Sequence, residues 1–266
     1  MNHFGICKRG DKVLGFKVLN LKNEKDRNFY YNKVIVKGLK KEIEKLLKQL
    51  NDFNVSDELI SSLEFELGKD KRNLNNGYYY IIGGQPINKD TLKELYDILS
   101  KDLLDDYSIE NMGKYYREKD VYILDGSHSL MGLYNKGLDP EKVEGKMDDL
   151  FDYINKDNDK DIVETYIKSQ IIHYYLAYVH PYFDVNGRTA RTLSMWYLIK
   201  QNANPLIMFN RGIYKNRDDY KRSILKCNRG DMTPFLEFSL KTLKEELIER
   251  IISPIEEIDS TKPKNK

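Results

Sequence analysis

The run HPYFDVNGRTAR, residues 180–191, brings together side chains suited to a polyphosphate. His180 titrates near neutrality and is the candidate general base. Asp184 is a hard-oxygen ligand of the kind Mg²⁺ takes alongside substrate phosphates. Asn186 offers a hydrogen-bonding amide, and Gly187 a backbone that can come close to phosphate oxygens. Arg188 and Arg191 are three apart and share a face on any helix that starts here. A guanidinium makes strong, bidentate contacts with phosphate. The same run also reads as a polar turn between two helices, with His180 packed or capping.

The elements that must position this loop are helical. DIVETYIKSQIIHYYLAYV (161–179) has few charges after Lys168 and predicts a buried central helix, ended by Pro181. A new helical pattern starts near Gly187 or Arg188 and runs through TARTLSMWYLIKQ. Its first backbone N–H groups have no intrahelical partner, so they can face an anion. Periodicity predicts further helices over 38–51 (Ile43, Leu46, Leu47, Leu50), 56–67 (capped by Asn54 or Ser56, stopped at Gly68), 87–104, 139–155, 216–227 and 232–252. Residues 1–36 mix β-like runs, KVLGFKVL and NFYYNKVIV, and belong to a small N-terminal extension over 1–54. DVYILDG (120–126) predicts a short hairpin, and a polar tail from Glu256 to residue 266 is expected to fray. The expected fold is mainly α: a helical bundle with a short β-hairpin flap and an extension with some β.

The chain has 266 residues, enough to bury a sizeable core. Its 44 basic and 42 acidic residues nearly cancel, so no global field recruits nucleic acid or an anionic membrane. The two cysteines, Cys7 and Cys227, are far apart and lack metal-site spacing, which fits a reducing cytoplasm. MNHFGICKRG has no long apolar core, so no signal peptide is expected, and no run of about 18 apolar residues predicts a membrane span. A cytoplasmic location is the expectation.

The order of residues in HPYFDVNGRTAR resembles the signature of the Fic domain family, HPFx(D/E)GNGRxxR, through His180, Pro181, Tyr182, Asp184, Asn186, Gly187, Arg188 and Arg191. GKYYREKDVYI resembles the family's GxYR segment leading into its flap, and NRDDYKRSIL with NRGDMTPFLEF resembles the segment after the signature. The resemblance covers roughly residues 55–250 and implies a Fic-like catalytic domain over 55–255. It also implies transfer of AMP from Mg²⁺-ATP to Ser, Thr or Tyr hydroxyls of a target protein, with release of pyrophosphate. By that resemblance His180 deprotonates the hydroxyl and Asp184 holds Mg²⁺. Asn186 and the Gly187 backbone take phosphate oxygens, with Arg188 on the β- and Arg191 on the γ-phosphate. Tyr220 and Asn228 match positions that approach the base. Val185 departs from the family's glycine; a β-branched residue there either avoids φ > 0 or is strained.

SSLEFEL (61–67) resembles the family's inhibitory motif through Ser62 and Glu66, with Leu67 a departure; it also reads as an ordinary amphipathic helix. Val121, Tyr122 and Ile123 are the candidate target-docking strand, which would pair with an extended segment. His173, seven residues before His180, reads as a core histidine rather than a metal ligand. Rival readings are a different donor or transfer (UMP, phosphocholine, phosphate, removal of AMP) and a scaffold that binds nucleotide or partners without turnover. Self-modification and homo-oligomer formation stay open.

Overall fold

The computed structural model describes residues 15–50, 69–124, 134–156, 161–207, 212–213 and 215–260. Phe16–Lys22 (β1) and Asn28–Asn32 (β2) pair antiparallel, with Phe16 opposite Asn32 and Lys22 opposite Asn28. Leu19, Leu21, Phe29 and Tyr31 are buried. The β-like run NKVIV does not continue the strand. The Asn32 side chain accepts from Val34 N at 2.9 Å and Ile35 N at 3.4 Å, capping a helix over Lys33–Leu47 (α1). A good cap outweighs the weak β preference of Val34, Ile35 and Val36. The helix expected over 56–67 lies outside the described residues.

A helix over Lys69–Ile82 (α2) was not anticipated by the sequence reading. Its burial falls on Asn73, Leu74, Gly77, Tyr78 and Ile81, which share one helical face. Lys89–Ser100 (α3) starts from a reciprocal cap, Thr91 N to Asn88 Oδ1 at 3.0 Å and Asn88 N to Thr91 Oγ1 at 3.1 Å. A short helix, Asp106–Glu110 (α4), follows. Tyr122–Leu124 (β3) and Tyr134–Lys136 (β4) pair antiparallel with Tyr122 opposite Lys136, so DVYILDG supplies one strand of a hairpin and its partner lies beyond residue 126.

The remaining helices are Pro140–Asn155 (α5), Ile162–Val179 (α6), Asn186–Lys200 (α7), Arg217–Cys227 (α8) and Thr233–Ser260 (α9). The helical backbone of α9 runs past Glu256, where the sequence reading starts a fraying tail. Every residue of α6 from Thr165 to Leu176 is buried, so α6 is the central helix. It packs against α1, α5, α7 and α9. Asp161 caps it, accepting from Val163 N and Glu164 N at 2.9 and 3.0 Å.

The N-terminal segment is built into this bundle. Helix α1 packs along α9, and Lys40 bridges to Asp161 at 2.9 Å and Glu164 at 2.8 Å at the start of α6. Strand β2 is tied to the α8–α9 connection through Tyr30 N to Gly230 O at 3.0 Å and Met232 N to Tyr30 O at 2.8 Å. Among the described residues no helix is long and apolar enough to cross a membrane.

Candidate active site

The loop between α6 and α7 is held in a strained shape. His180 ends α6 in the left-handed region, φ 52 and ψ 60, with its N–H on Leu176 O at 3.0 Å. Val185 opens α7 at φ 63 and ψ 5, so the strained alternative for this β-branched residue is the one adopted. A side chain in this region costs on the order of 1–2 kcal/mol at each position. Burial offsets it: Val185 is 3% exposed and Tyr182 is fully buried, stacked on Tyr96 with ring centroids 3.7 Å apart.

Asn186 is a brace of this loop. Its Oδ1 accepts from Tyr182 N at 3.0 Å and its Nδ2 donates to Tyr182 O at 2.8 Å, with Asp184 O at 3.5 Å. The buried amide is turned into the loop, where it holds the Tyr182 backbone. From this position a phosphate can still meet the backbone N–H. Val185 provides no side-chain cap, and the first N–H groups of a helix have no intrahelical partner, so the start of α7 can face an anion. The first turn carries no acid and instead holds Arg188, with Arg191 following one turn on. Cations at the positive end of a helix oppose its dipole, a local conflict expected where an anion is to sit. Gly187 is exposed, and a Cβ there would meet only Arg191 Nη1, at 3.4 Å.

His180 Nδ1 lies 3.4 Å from Ala177 O. A carbonyl only accepts, so Nδ1 carries the proton and Nε2 keeps its lone pair. Burial pushes the His180 pKa down to about 4, helped by the Arg117 charge and opposed by the Ala177 bond and Asp184. The imidazole is thus neutral at neutral pH. Asp184 is exposed, with Oδ1 accepting from Val185 N at 2.6 Å. Among the described residues no group of three or more His, Cys, Asp or Glu is arranged to hold a metal. The donor set at the loop is one carboxylate beside phosphate-directed groups. That fits Mg²⁺, which takes one or two carboxylates with substrate phosphates and water.

Tyr220 is buried between His173, Phe235 and Phe238 and is hydrogen-bonded to Arg191. His173 is a core histidine with Nε2 2.9 Å from the Tyr220 hydroxyl. Asn228 is exposed at the end of α8 and accepts from Tyr174 Oη at 3.2 Å. In the flap Val121 is buried and Tyr122 is 63% exposed, while Ile123 sits centrally in β3 opposite Asn135. Ser62 and Glu66 lie outside the described residues. The residue that the sequence reading passed over is Arg117, which donates through Nε to His180 O at 2.8 Å. It stands in the quoted GKYYREK run, where nothing local signals that an arginine there is 2% exposed.

A family model described as Fic/DOC family matches residues 86–198. The chain is 33% identical over 99 residues to a protein adenylyltransferase Fic of Nematostella vectensis, covering 37% of this chain and 22% of that protein. It is 32% identical over 104 residues to the protein adenylyltransferase fic-1 of Caenorhabditis elegans, covering 39% and 20%. The matched segments thus span about a fifth of these relatives. A crystal structure of a Fic family protein from Desulfovibrio desulfuricans G20 superimposes with a TM-score of 0.59 at 20% identity, covering 84% of this chain and 67% of that one. The C. elegans Fic-1 structure gives 0.59 at 16% identity, covering 85% and 74%. These two likenesses concern the fold. Together with the signature on the α6–α7 loop, they place a Fic/DOC family domain over residues 86–198 of a chain that has the mainly helical Fic fold.

Proposed function

We propose that the protein transfers AMP from Mg²⁺-ATP to a hydroxyl of a target protein, releasing pyrophosphate. The observation that carries this reading is the joint placement, on one loop, of a neutral, partly buried His180 and the start of α7, without a side-chain cap, with Arg188 and Arg191. The names of the curated relatives, protein adenylyltransferase, agree with it.

His180 Nε2 takes the proton as the target hydroxyl oxygen forms its bond to the α-phosphorus. The bond from that phosphorus to the bridging oxygen breaks, and pyrophosphate leaves in line. Backbone N–H groups of Asn186 and Gly187, with Arg188 and Arg191, hold the phosphates and stabilise charge that builds on the leaving group. Asp184 would hold Mg²⁺, which supplies charge neutralisation on the phosphate oxygens. Tyr122, exposed on β3, belongs to the strand that would lie beside an extended target segment. The segment that carries Ser62 and Glu66 would act as an inhibitor of this site.

ATP labelled on the α-phosphorus should leave label on protein, whereas the γ-label should not, and His180→Ala should lower transfer about 10²-fold or more. Label arriving only from the γ position would replace AMP transfer by a kinase-like reaction. Label from α-labelled UTP in preference to ATP would change the donor.

A further inference from the structure

Arg117 sits where three parts of the chain meet. Its guanidinium donates to three backbone carbonyls: Nε to His180 O at 2.8 Å, Nη1 to Lys119 O at 2.8 Å and Nη2 to Leu138 O at 2.6 Å. Its own N–H donates to Pro181 O at 3.0 Å. Lys119 leads into β3 and Leu138 follows β4, so two of the carbonyls belong to the two ends of the flap. The third belongs to the candidate base. Gly137 N donates to Val121 O at 2.8 Å just beside this junction.

Burying a guanidinium is costly, and burial lowers its pKa from the ordinary arginine value while Asp120 and Asp139 act against that. Among the described residues its hydrogen-bond acceptors are backbone carbonyls rather than a carboxylate, so charge pairing does not account for its place. A planar fork does account for it. Three rigid N–H directions fix three peptide planes relative to one another, which a flexible ammonium cannot do. One of those planes follows His180, whose left-handed backbone needs an outside constraint to persist.

We propose that Arg117 is a positioning residue that couples the β3–β4 flap to the backbone of His180, so that the state of the flap sets the orientation of the base. This rests on the reading of His180 as base and of the flap as the target-docking strand. A target segment laid along β3 would stiffen the Lys119 and Leu138 ends, and the guanidinium would carry that constraint to the His180 carbonyl. Gly137 gives an independent handle. A Cβ there would meet Val121 Cγ2 at 2.7 Å and Arg117 Nη2 at 3.4 Å, so Gly137→Ala disturbs the junction from the flap side without touching the α6–α7 loop.

The test uses the full chain as wild type, Arg117→Lys, Arg117→Met and Gly137→Ala. Backbone hydrogen exchange is measured without nucleotide, alongside transfer kinetics with α-labelled ATP. Coupling predicts that Gly137→Ala and Arg117→Met speed exchange both at residues 119–124 and 134–138 and at residues 180–186, while 165–176 of α6 stays protected. In Gly137→Ala kcat should fall by about 10-fold or more with the KM for ATP changed less than about 3-fold. Arg117→Lys should recover part of both effects. Faster exchange confined to the flap, with 180–186 as in wild type, would overturn the coupling. If Arg117→Met fails to fold, Gly137→Ala alone decides. If the wild type moves no AMP, the functional reading falls, whereas the exchange result still decides whether flap and loop are coupled.

Discussion

His173 Nε2 stands 2.9 Å from the hydroxyl of Tyr220, and that hydroxyl is also bonded to Arg191. The directions follow from chemistry. A guanidinium only donates, so the Tyr220 oxygen accepts from Arg191 and its O–H donates to Nε2, leaving the His173 proton on Nδ1. The chain of bonds requires a neutral imidazole. Burial, with the Arg191 charge second, pushes the His173 pKa down to about 3.

Acid stability tests this arrangement. The folded His173 stays unprotonated down to about pH 3, while the unfolded one binds a proton below about 6.5. Unfolding therefore takes up a proton between these values, and stability rises with pH across that window. The contribution is fully present above pH 6.5 and is lost as the pH falls, by up to about 1.4 kcal/mol per unit. Urea midpoints of wild type should drop between pH 7 and pH 5 more than those of His173→Gln, which keeps an acceptor for Tyr220 without a titrating ring. Matching drops in the two proteins would show that His173 is not held neutral.

Tyr220→Phe removes the middle of the same chain. Arg191 loses one anchor, and nucleotide affinity should weaken more for ATP than for ADP, on the assignment of Arg191 to the γ-phosphate. The expected loss for ATP is about 1.5 kcal/mol, roughly 10-fold, as for one hydrogen bond to a charged group. Calorimetric titrations with both nucleotides read it directly; equal weakening, or none, removes the positioning role from Tyr220.

Val185 tests the strain. Its side chain is buried in the core, so truncation costs burial and cavity energy, and Val185→Gly removes one more carbon than Val185→Ala. At φ 63, however, alanine keeps the left-handed penalty of about 1–2 kcal/mol and glycine does not. The order should therefore invert, with Val185→Gly at least as stable as Val185→Ala in chemical denaturation. Alanine clearly above glycine would mean that this residue is not left-handed in solution.

The sequence carried the central helix, the position of the phosphate-directed loop and the β3 strand, because each is signalled locally: a continuous apolar run, a fixed order of functional groups, a break in helical period. It did not carry α2. KDKRNLNNGYYYII is rich in turn residues, and its helix depends on partners elsewhere: the Asn73 Nδ2 donates to Leu99 O at 3.3 Å and Lys101 O at 2.8 Å, at the C-terminal end of α3. Gly77 lets Leu99 approach so closely that a Cβ would meet Leu99 Cδ2 at 2.8 Å. The bracing contacts of Arg117 and Asn186 are not legible in the sequence for the same reason. Their roles are set by backbone carbonyls and amides brought together by the fold, which residue type and spacing do not encode.

Asp184 allows the metal assignment to be separated from the fold of the loop. Its Oδ1 accepts from Val185 N at 2.6 Å, and Asp184→Asn keeps an acceptor there while removing the charge that a divalent cation needs. The side chain is exposed, so the substitution should leave thermal stability within about 0.5 kcal/mol of wild type. Nucleotide binding in the absence of a divalent cation should also persist, because the α7 N–H groups, Arg188 and Arg191 are unchanged. What should disappear is the dependence on the cation. In wild type, ATP affinity and transfer should rise with added Mg²⁺; in Asp184→Asn the rise in affinity should be lost and transfer should drop by more than about 10²-fold. An affinity that still climbs with Mg²⁺ in the variant would place the cation on the nucleotide alone, and Asp184 would then be a turn residue and nothing more.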